Sequence, residues 1–294
     1  MNHDEMLQID LCRGQVRVML CDTTATVQKC ADIHECTPVC TAALGRLMTG
    51  TLMLGMMMKG KNESVTVTLK GNGPMGTIVA VADHGDVRVC SDEYRVELPP
   101  REDGKLDVGA AVGCSGRMSV IKDLGLKKNY IGQCEIVSGE IAIDFAHYFT
   151  VSEQKPSLVS LGVLVNGGTV LKAGGLLIQP MPGCPDEIID QLELRSPMFA
   201  EISREMTFAS TDQLCEDWFR GMDPVILERS PLQYRCTCTR DRMEKALLSL
   251  GRKDLENIIR EDHGAEIVCH FCRKAYRFTE DELKNLLRTG RQKR

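Results

Sequence analysis

Two tight pairs of cysteines near the C-terminal end limit what this chain can fold into more than any other feature. The first pair, Cys236 and Cys238, is spaced Cys-x-Cys, and the second, Cys269 and Cys272, is spaced Cys-x-x-Cys. Structural zinc takes four ligands in a tetrahedron and favours thiolates, and a Cys-x-x-Cys turn presents two sulfurs to one ion. The ligand count therefore predicts one Zn²⁺ per chain, held in a small domain over residues 236–294.

The remaining cysteines are scattered along the chain without ligand spacing. The N-terminus has no basic segment followed by an apolar run, so we expect no secretion signal. A cysteine-rich chain without such a signal is typical of a reducing compartment, which predicts a cytoplasmic protein. The ten scattered cysteines are Cys12, Cys21, Cys30, Cys36, Cys40, Cys90, Cys114, Cys134, Cys184 and Cys215.

Two further patterns imitate known sites. His34, Cys36 and Cys40 could form a second metal site, but their spacing is loose and no fourth ligand is evident. Residues 71–76, GNGPMG, match the dinucleotide-binding fingerprint, which requires a helix directly after the glycines. Here Pro74 interrupts the motif and a β-like sequence follows it. We therefore expect a hairpin turn at this position.

The composition argues against two classes of partner. A net charge of −5 argues against a dedicated nucleic-acid binder, and the basic residues at 288–294 are predicted to be a solvated terminus. The most apolar stretch, residues 47–58, is too short and too rich in glycine to cross a bilayer. It predicts a buried helix, and we expect no membrane partner.

The first 180 residues alternate short β patterns with helical stretches. This pattern predicts an N-terminal α+β domain over residues 1–180 with a mainly antiparallel β-sheet and helices. Helices are expected at 40–59 and 108–112. Strands are expected at 64–70, 77–82, 87–90, 131–137, 159–165 and 176–179.

Residues 181–235 change character, because prolines divide them into short helical pieces. Asp186 can cap the first piece, Pro197 suits the first turn of the next, and Ser210 with Gln213 forms a capping box. Helices shorter than about 12–15 residues are marginal in water and depend on tertiary contacts. The segment is therefore predicted to be a metastable helical linker that packs on the main domain. Its apolar residues at helical spacing are Ile188, Ile189, Leu192, Met198, Phe199, Ile202 and Met206.

The C-terminal segment, residues 236–294, adds helices around its cysteine pairs. Two helices are predicted at about 240–250 and 253–262, and a third follows a capping box from Thr279 to Glu282. No catalytic arrangement other than thiols is visible, so we expect a protein that is not an enzyme. Two alternatives remain: a thiol-disulfide oxidoreductase, which also uses Cys-x-x-Cys, and a zinc-ribbon nucleic-acid-binding protein.

The cysteine pairs and several upstream motifs together resemble one known family. Cys-Thr-Cys at 236–238 with Cys-His-Phe-Cys at 269–272 is similar to the C-terminal signature of the heat shock protein 33 family. The resemblance continues upstream in GNGPMG at 71–76, SEQKPS at 152–157 and AGGLLIQPMPG at 173–183. It thus covers nearly the whole chain.

The resemblance implies a redox-regulated holdase, a chaperone that binds unfolding proteins and prevents their aggregation under oxidative stress. It implies that the reduced, zinc-bound form is inactive and that the active form is a homodimer. It also implies local disulfides on oxidation, Cys236–Cys238 and Cys269–Cys272. Ten additional cysteines set this chain apart from the pattern.

A physical mechanism follows from the predicted zinc site. Disulfide formation removes the ligands, and a small zinc domain that loses its metal loses its folding energy. We then expect the linker to lose support and to expose its apolar side chains, which can bind unfolding proteins. The seven apolar linker residues named above are therefore the predicted client-binding residues.

Overall fold

The computed structural model describes residues 4–60 and 62–289. The chain forms two compact units, Met1–Arg235 and Cys236–Arg294. The predicted fold class is confirmed: a sheet-rich α+β region is followed by a small unit that carries the cysteine pairs. The further division of the larger unit at residue 180 stays a prediction.

The secondary-structure elements are numbered in chain order. In the larger unit they are β1 (Glu5–Leu11), β2 (Val16–Asp22), α1 (Thr24–His34), α2 (Pro38–Met56), β3 (Ser64–Gly71), β4 (Thr77–Asp83), β5 (Asp86–Ser91), α3 (Val108–Val112), β6 (Gly116–Asp123), β7 (Tyr130–Glu135), α4 (Ala142–Val151), β8 (Leu158–Asn166), β9 (Thr169–Pro180), α5 (Asp186–Phe199), α6 (Ile202–Glu205), α7 (Thr211–Trp218), β10 (Val225–Pro231) and β11 (Gln233–Tyr234). In the smaller unit they are α8 (Arg240–Ser249), α9 (Arg252–Asp262), β12 (Gly264–Val268), β13 (Ala275–Thr279) and α10 (Glu280–Thr289).

Two sheets organise the larger unit. One has the strand order β10-β1-β2-β9-β8 and the other β11-β5-β4-β3-β6-β7. Neighbouring strands pair antiparallel except β11, which pairs parallel to β5. The GNGPMG motif joins β3 to β4, where Lys70 lies opposite Thr77. The predicted hairpin turn is therefore confirmed.

Helix α2 is the core helix of the larger unit. It is long and apolar enough to cross a membrane, but 89% of its most apolar window is buried inside the protein. Gly50 gives the Phe145 ring room to pack against the helix. The helix begins at Pro38, two residues before the predicted start, because proline suits the first turn, where its missing N–H costs no hydrogen bond.

The linker helices α5, α6 and α7 pack on the face of the first sheet. Phe199 and Trp218 meet edge to face, with ring centroids 5.3 Å apart. The capping box of Ser210 and Gln213 is confirmed by hydrogen bonds in both directions. The apolar core shared by linker and sheet contains Leu7, Ile9, Leu11, Val16, Val18, Leu20, Leu176, Ile178, Leu192, Phe199, Ile202, Met206, Leu214, Trp218, Phe219 and Met222.

Two details of the linker differ from the sequence prediction. Pro197 lies inside the end of α5 rather than at the start of the next helix, because α5 continues to the buried Phe199. The linker also ends in strands rather than helices, since β10 pairs with β1 and β11 pairs with β5. Local sequence patterns do not reveal that these partner edges are available.

The three helices predicted for the smaller unit are present as α8, α9 and α10. The hairpin of β12 and β13 that lies between α9 and α10 was not predicted. The capping box at the start of α10 is confirmed: the Thr279 N–H donates to Glu282, and the Glu282 N–H donates to the Thr279 hydroxyl. Residues 290–294 of the predicted basic terminus lie outside the described residues.

Candidate metal centre

The structure brings the four predicted cysteines together. Their sulfur atoms all lie within 4.8 Å of one another. Two close contacts join one pair to the other: 3.7 Å between the sulfurs of Cys236 and Cys269, and 3.4 Å between those of Cys238 and Cys272. Four sulfurs at about 2.3 Å from a tetrahedral ion lie about 3.8 Å apart. The cluster therefore has the size and chemistry to hold one metal ion.

Local backbone structure explains why the second pair points inward. Cys269 and Cys272 lie in the turn between β12 and β13, where the Cys269 N–H donates to the Lys274 carbonyl oxygen at 3.0 Å. The Arg273 N–H donates a hydrogen bond to the Cys269 carbonyl oxygen at 2.8 Å, and Arg273 has a φ of 59°. This left-handed residue closes the turn and places both sulfurs on the same side.

The first pair reaches the cluster from the segment before α8. Thr239 follows Cys238 directly and caps that helix, because its hydroxyl accepts a hydrogen bond from the Arg242 N–H. The Arg242 guanidinium also donates to the carbonyl oxygen of Thr237, between the two ligands. Helix α8 therefore begins where the Cys-x-Cys segment ends, and its first turn fixes that segment.

Tyr276 is a member of the site that the sequence analysis missed. Its hydroxyl oxygen lies 3.1 Å from the Cys238 sulfur. Burial alone raises the pKa of the Cys238 thiol, but hydrogen bonds from Tyr276 and the neighbouring cysteines outweigh it and bring the pKa to about 7. The same hydrogen bond raises the pKa of Tyr276 to about 12. Residue 276 faces the cluster because it lies on β13, four residues beyond the last ligand.

Two of the other cysteines in the cluster have the opposite tendency. Burial raises the thiol pKa of Cys236 and that of Cys272. A cluster of four close sulfurs cannot hold four negative charges alone, so the protons leave together with the arrival of a cation. The arrangement therefore has the chemistry to hold a soft or borderline divalent metal.

Nearby histidines do not join this cluster. His263 is exposed, and its Nδ1 lies 3.0 Å from a Glu280 carboxylate oxygen. In the part of the chain that the structure describes, the four-cysteine cluster is the one group of three or more potential ligands close enough to share an ion. The second site considered at His34, Cys36 and Cys40 is not assembled, and His34 instead stacks on Tyr94 at 4.4 Å.

The predicted client-binding residues divide by exposure. Ile188 and Ile189 are half-buried, and Met198 is 45% exposed. The other four are buried in the core between linker and sheet, so they cannot contact a client in this conformation. Their role in client binding stays a prediction. These four residues are Leu192, Phe199, Ile202 and Met206.

Half of the additional cysteines are in buried surroundings that suppress their reactivity. Burial raises the thiol pKa of Cys21, Cys30 and Cys40, and it raises those of Cys134 and Cys215 to about 11. Because the thiolate is the form that reacts with oxidants, these five side chains are poor targets. The cysteine content of the chain therefore exceeds its content of reactive thiols.

The fold and the site together define a class: an α+β protein with two sheets, followed by a small unit that carries a four-cysteine metal centre. A family model described as Hsp33 protein matches residues 4–279. The 33 kDa chaperonin of Ruminiclostridium cellulolyticum is 42% identical over 287 residues, which are 97% of this chain and 98% of the relative. The 33 kDa chaperonin of Staphylococcus aureus is 43% identical over 290 residues, covering 98% and 99%.

A solved structure agrees with these sequence relatives. The crystal structure of the 33 kDa chaperonin, a heat shock protein 33 homologue from Thermotoga maritima, matches with a TM-score of 0.91 and 33% identity. The match covers 99% of this chain and 100% of that one. The chain belongs to the Hsp33 family, and the names of its relatives identify its general activity as that of a chaperone.

Proposed function

We propose that this protein is a redox-regulated holdase of the cytoplasm, inactive while its four cysteines hold Zn²⁺ and activated when they are oxidised. The observation that supports this proposal best is the cluster itself. Its sulfurs are close enough to share one ion and also close enough to react with one another after the ion leaves. The same four cysteines can therefore exist in two states, as a metal site or as a pair of disulfides.

In the reduced state, the four thiolates hold the smaller unit together through the ion. A bound zinc ion supplies a structural unit of this size with on the order of 10–16 kcal/mol of stabilisation. Cys236 and Cys238 connect to α8, whereas Cys269 and Cys272 connect β12 to β13. Shared ligation therefore joins the start of the smaller unit to its β12–β13 hairpin, and Tyr276 supports the Cys238 thiolate through its hydroxyl.

Oxidation removes these ligands. A hydroperoxide accepts two electrons from each pair of thiolates and two protons from the solvent. Its O–O bond breaks, one S–S bond forms, and the two oxygen atoms leave as water and an alcohol, or as two waters when the oxidant is hydrogen peroxide. We propose the disulfides Cys236–Cys238 and Cys269–Cys272, because residues close in sequence have the smallest loop-closure entropy. In the reduced protein, close sulfur contacts of 3.7 and 3.4 Å cross between the pairs. A disulfide requires a specific geometry with sulfurs about 2.05 Å apart. Pairing within each motif therefore rearranges the hairpin turn and the segment before α8, which opposes retention of the reduced fold.

The active state then binds clients through apolar surface. The linker helices bury Leu192, Phe199, Ile202 and Met206 against the sheet, and their separation exposes both sides of this core. Large exposed apolar surface on a protein attracts similar surface on unfolding proteins or on a second copy of the chain. This accounts for both client binding and a homodimeric active form.

An aggregation assay with parallel zinc measurement tests the proposal. Reduced and peroxide-treated protein are each added to malate dehydrogenase during heat unfolding, while a chromophoric chelator reports zinc. We expect one equivalent of zinc per reduced chain, its release on oxidation, and suppression of light scattering only afterwards. Cys114→Ser is the matched control, since Cys114 is exposed and lies outside the cluster. Equal suppression by reduced, zinc-loaded protein contradicts the proposal.

A further inference from the structure

Strand β10, the last long element of the linker, forms the outer strand of the first sheet by pairing with β1. Glu5 lies opposite Pro231 and Gln8 opposite Glu228, but Ile9 lies opposite Ile226. Leu227 is therefore an extra residue in a β-bulge. β10 covers the backbone groups along one whole edge of β1.

The outer edge of β10 has the features that discourage pairing with another chain. A bulge, prolines and charged side chains are the usual ways in which proteins protect a sheet edge. β10 has the bulge at Leu227, is flanked by Pro224 and ends at Pro231, and carries Glu228 and Arg229 between them. In contrast, β1 contains no proline and pairs with β2 without a break in register. β10, whose outer edge is protected against pairing with another chain, thus covers β1, whose edge lacks that protection.

Side chains hold β10 only weakly. Val225 is 52% exposed and Leu227 is 69% exposed, while Ser230 is its one buried residue. The main contact of β10 outside the sheet is made by Arg229, whose guanidinium donates two hydrogen bonds to Asp212 on α7. The position of β10 therefore depends on its backbone hydrogen bonds to β1 and on Asp212, which belongs to the linker helices.

Strand β11, two residues further on, is held in the opposite way. Tyr234 is 2% exposed, and its hydroxyl lies 3.3 Å from the Val89 carbonyl oxygen. Its own carbonyl oxygen accepts a hydrogen bond from Lys29 at 3.0 Å. The chain is thus anchored at β11, whereas β10 can separate from the sheet when α7 does.

We propose that the edge of β1 is a strand-accepting site for extended apolar segments of unfolded clients, and that β10 occupies it in the resting protein. The inference rests on the proposed function, since it requires the linker to lose structure on oxidation. Leu7, Ile9 and Leu11 lie on one face of β1 and are buried by the linker helices. Loss of those helices and of β10 leaves a backbone edge next to a row of apolar side chains.

The chemistry of this site suits many clients. An added strand is bound through main-chain hydrogen bonds, which any sequence except proline can form, and apolar side chains at alternate positions supply further contact. An unfolded polypeptide offers both. A folded protein with protected sheet edges offers neither, so the site selects unfolded segments by their backbone.

Hydrogen exchange on the full-length protein tests the inference. In a strand between two neighbours, alternate backbone groups pair with each side. Oxidation should accelerate exchange by about tenfold or more in 225–231 and in those β1 amides that pair with β10. The alternate β1 amides, which pair with β2, serve as an internal control and should stay protected. Adding reduced, carboxymethylated α-lactalbumin, a permanently unfolded client, should restore protection in β1 but not in 225–231.

A peptide with the sequence of residues 223–232 provides a second test. Added to oxidised protein, it should compete with carboxymethylated α-lactalbumin, and the same peptide with Ile226→Pro should compete much less. If oxidised protein suppresses aggregation while β1 and β10 both stay protected and neither peptide competes, this inference is wrong and the proposed function stands. If oxidised protein releases zinc but suppresses no aggregation, the proposed function itself fails.

Discussion

The two units of this protein achieve stability in different ways. The larger unit builds apolar cores on both of its sheets, one around α2 and one beneath the linker helices. The described residues of the smaller unit, Cys236–Arg294, form one small apolar core, and Cys269 of the four-cysteine cluster belongs to it. The fully buried members of this core are Leu247, Leu255, Cys269, Tyr276, Phe278 and Leu283.

This difference shows where a redox signal can act. A domain of about 60 residues buries too little apolar surface to be secure alone, and small domains often rely on metals. The larger unit does not contain the metal centre and has an extensive core of its own. A reagent that reacts with four sulfurs can therefore unfold one unit while it leaves the central fold of the other intact.

Removal of the metal is the strongest test of this contrast. A chelator or the substitution Cys269→Ser should unfold the smaller unit, since the lost stabilisation is on the order of 10–16 kcal/mol. Amides of α8, α9 and β13 should lose their exchange protection, while those of α2 and β3 keep theirs. Cys134→Ser, a buried thiol of the larger unit, is the control and should retain one equivalent of zinc. A smaller unit that stays folded without metal contradicts the comparison.

A cavity in the linker core should produce the next largest effect. Phe199 is 1% exposed and contacts Trp218 and Phe219, so Phe199→Ala should destabilise the linker by about 3–5 kcal/mol. We expect the variant to keep its zinc and to suppress aggregation partly even when reduced. The neighbouring substitution Met198→Ala removes a half-exposed side chain and should change stability by less than about 1 kcal/mol. Denaturant unfolding and the aggregation assay measure both variants.

Tyr276→Phe should have a smaller effect, confined to the metal centre. The hydroxyl that holds the pKa of Cys238 near 7 is lost, so this pKa should rise toward its ordinary value and protons should compete better with the metal. We expect zinc affinity to fall by about tenfold at pH 7, with a smaller loss at pH 9. Competition with a chromophoric chelator measures it, and Tyr130→Phe in the larger unit is the control. An affinity loss that is independent of pH argues against this role for the hydroxyl.

The smallest expected effect concerns the ion pair that ties β10 to α7. The hydrogen bond from Arg229 lowers the pKa of Asp212. The stabilisation from this ion pair is therefore complete at pH values above the ordinary pKa of aspartate. It is lost as the pH falls through the lowered pKa of Asp212. Because both side chains are almost half exposed, Arg229→Ala should cost about 0.2–1 kcal/mol at pH 7 and less near pH 3. Arg220→Ala, which breaks a pair with Asp217 three residues away, should leave exchange in β10 unchanged.

The sequence predicted the four-cysteine cluster more completely than the fold around it. Four cysteines in two tight pairs predict a shared position, because few arrangements other than a common metal ion explain such spacing. Tyr276 could not be identified, since its contact with Cys238 exists only after the hairpin forms. β2 was not predicted, because it is buried on both faces and lacks the apolar-polar alternation of a half-buried strand. β10 was missed because its partner edge is more than 200 residues away along the chain.

The buried side chain of Tyr234 limits how far the linker can move from the sheet after its release. If β9 and β11 stay in place, residues 181–232 become a loop closed at both ends rather than a free tail. A flexible segment of about 50 residues has a root-mean-square extent of about 40 Å, and closure keeps most of it nearer to the sheet. Once a reductant has converted both disulfides back to thiols, an expelled strand at this local concentration can return in microseconds, because closing such a loop is fast. Retention of the chain at Tyr234 thus leaves reduction of the disulfides, rather than diffusion of the strand, as the slow step of closing.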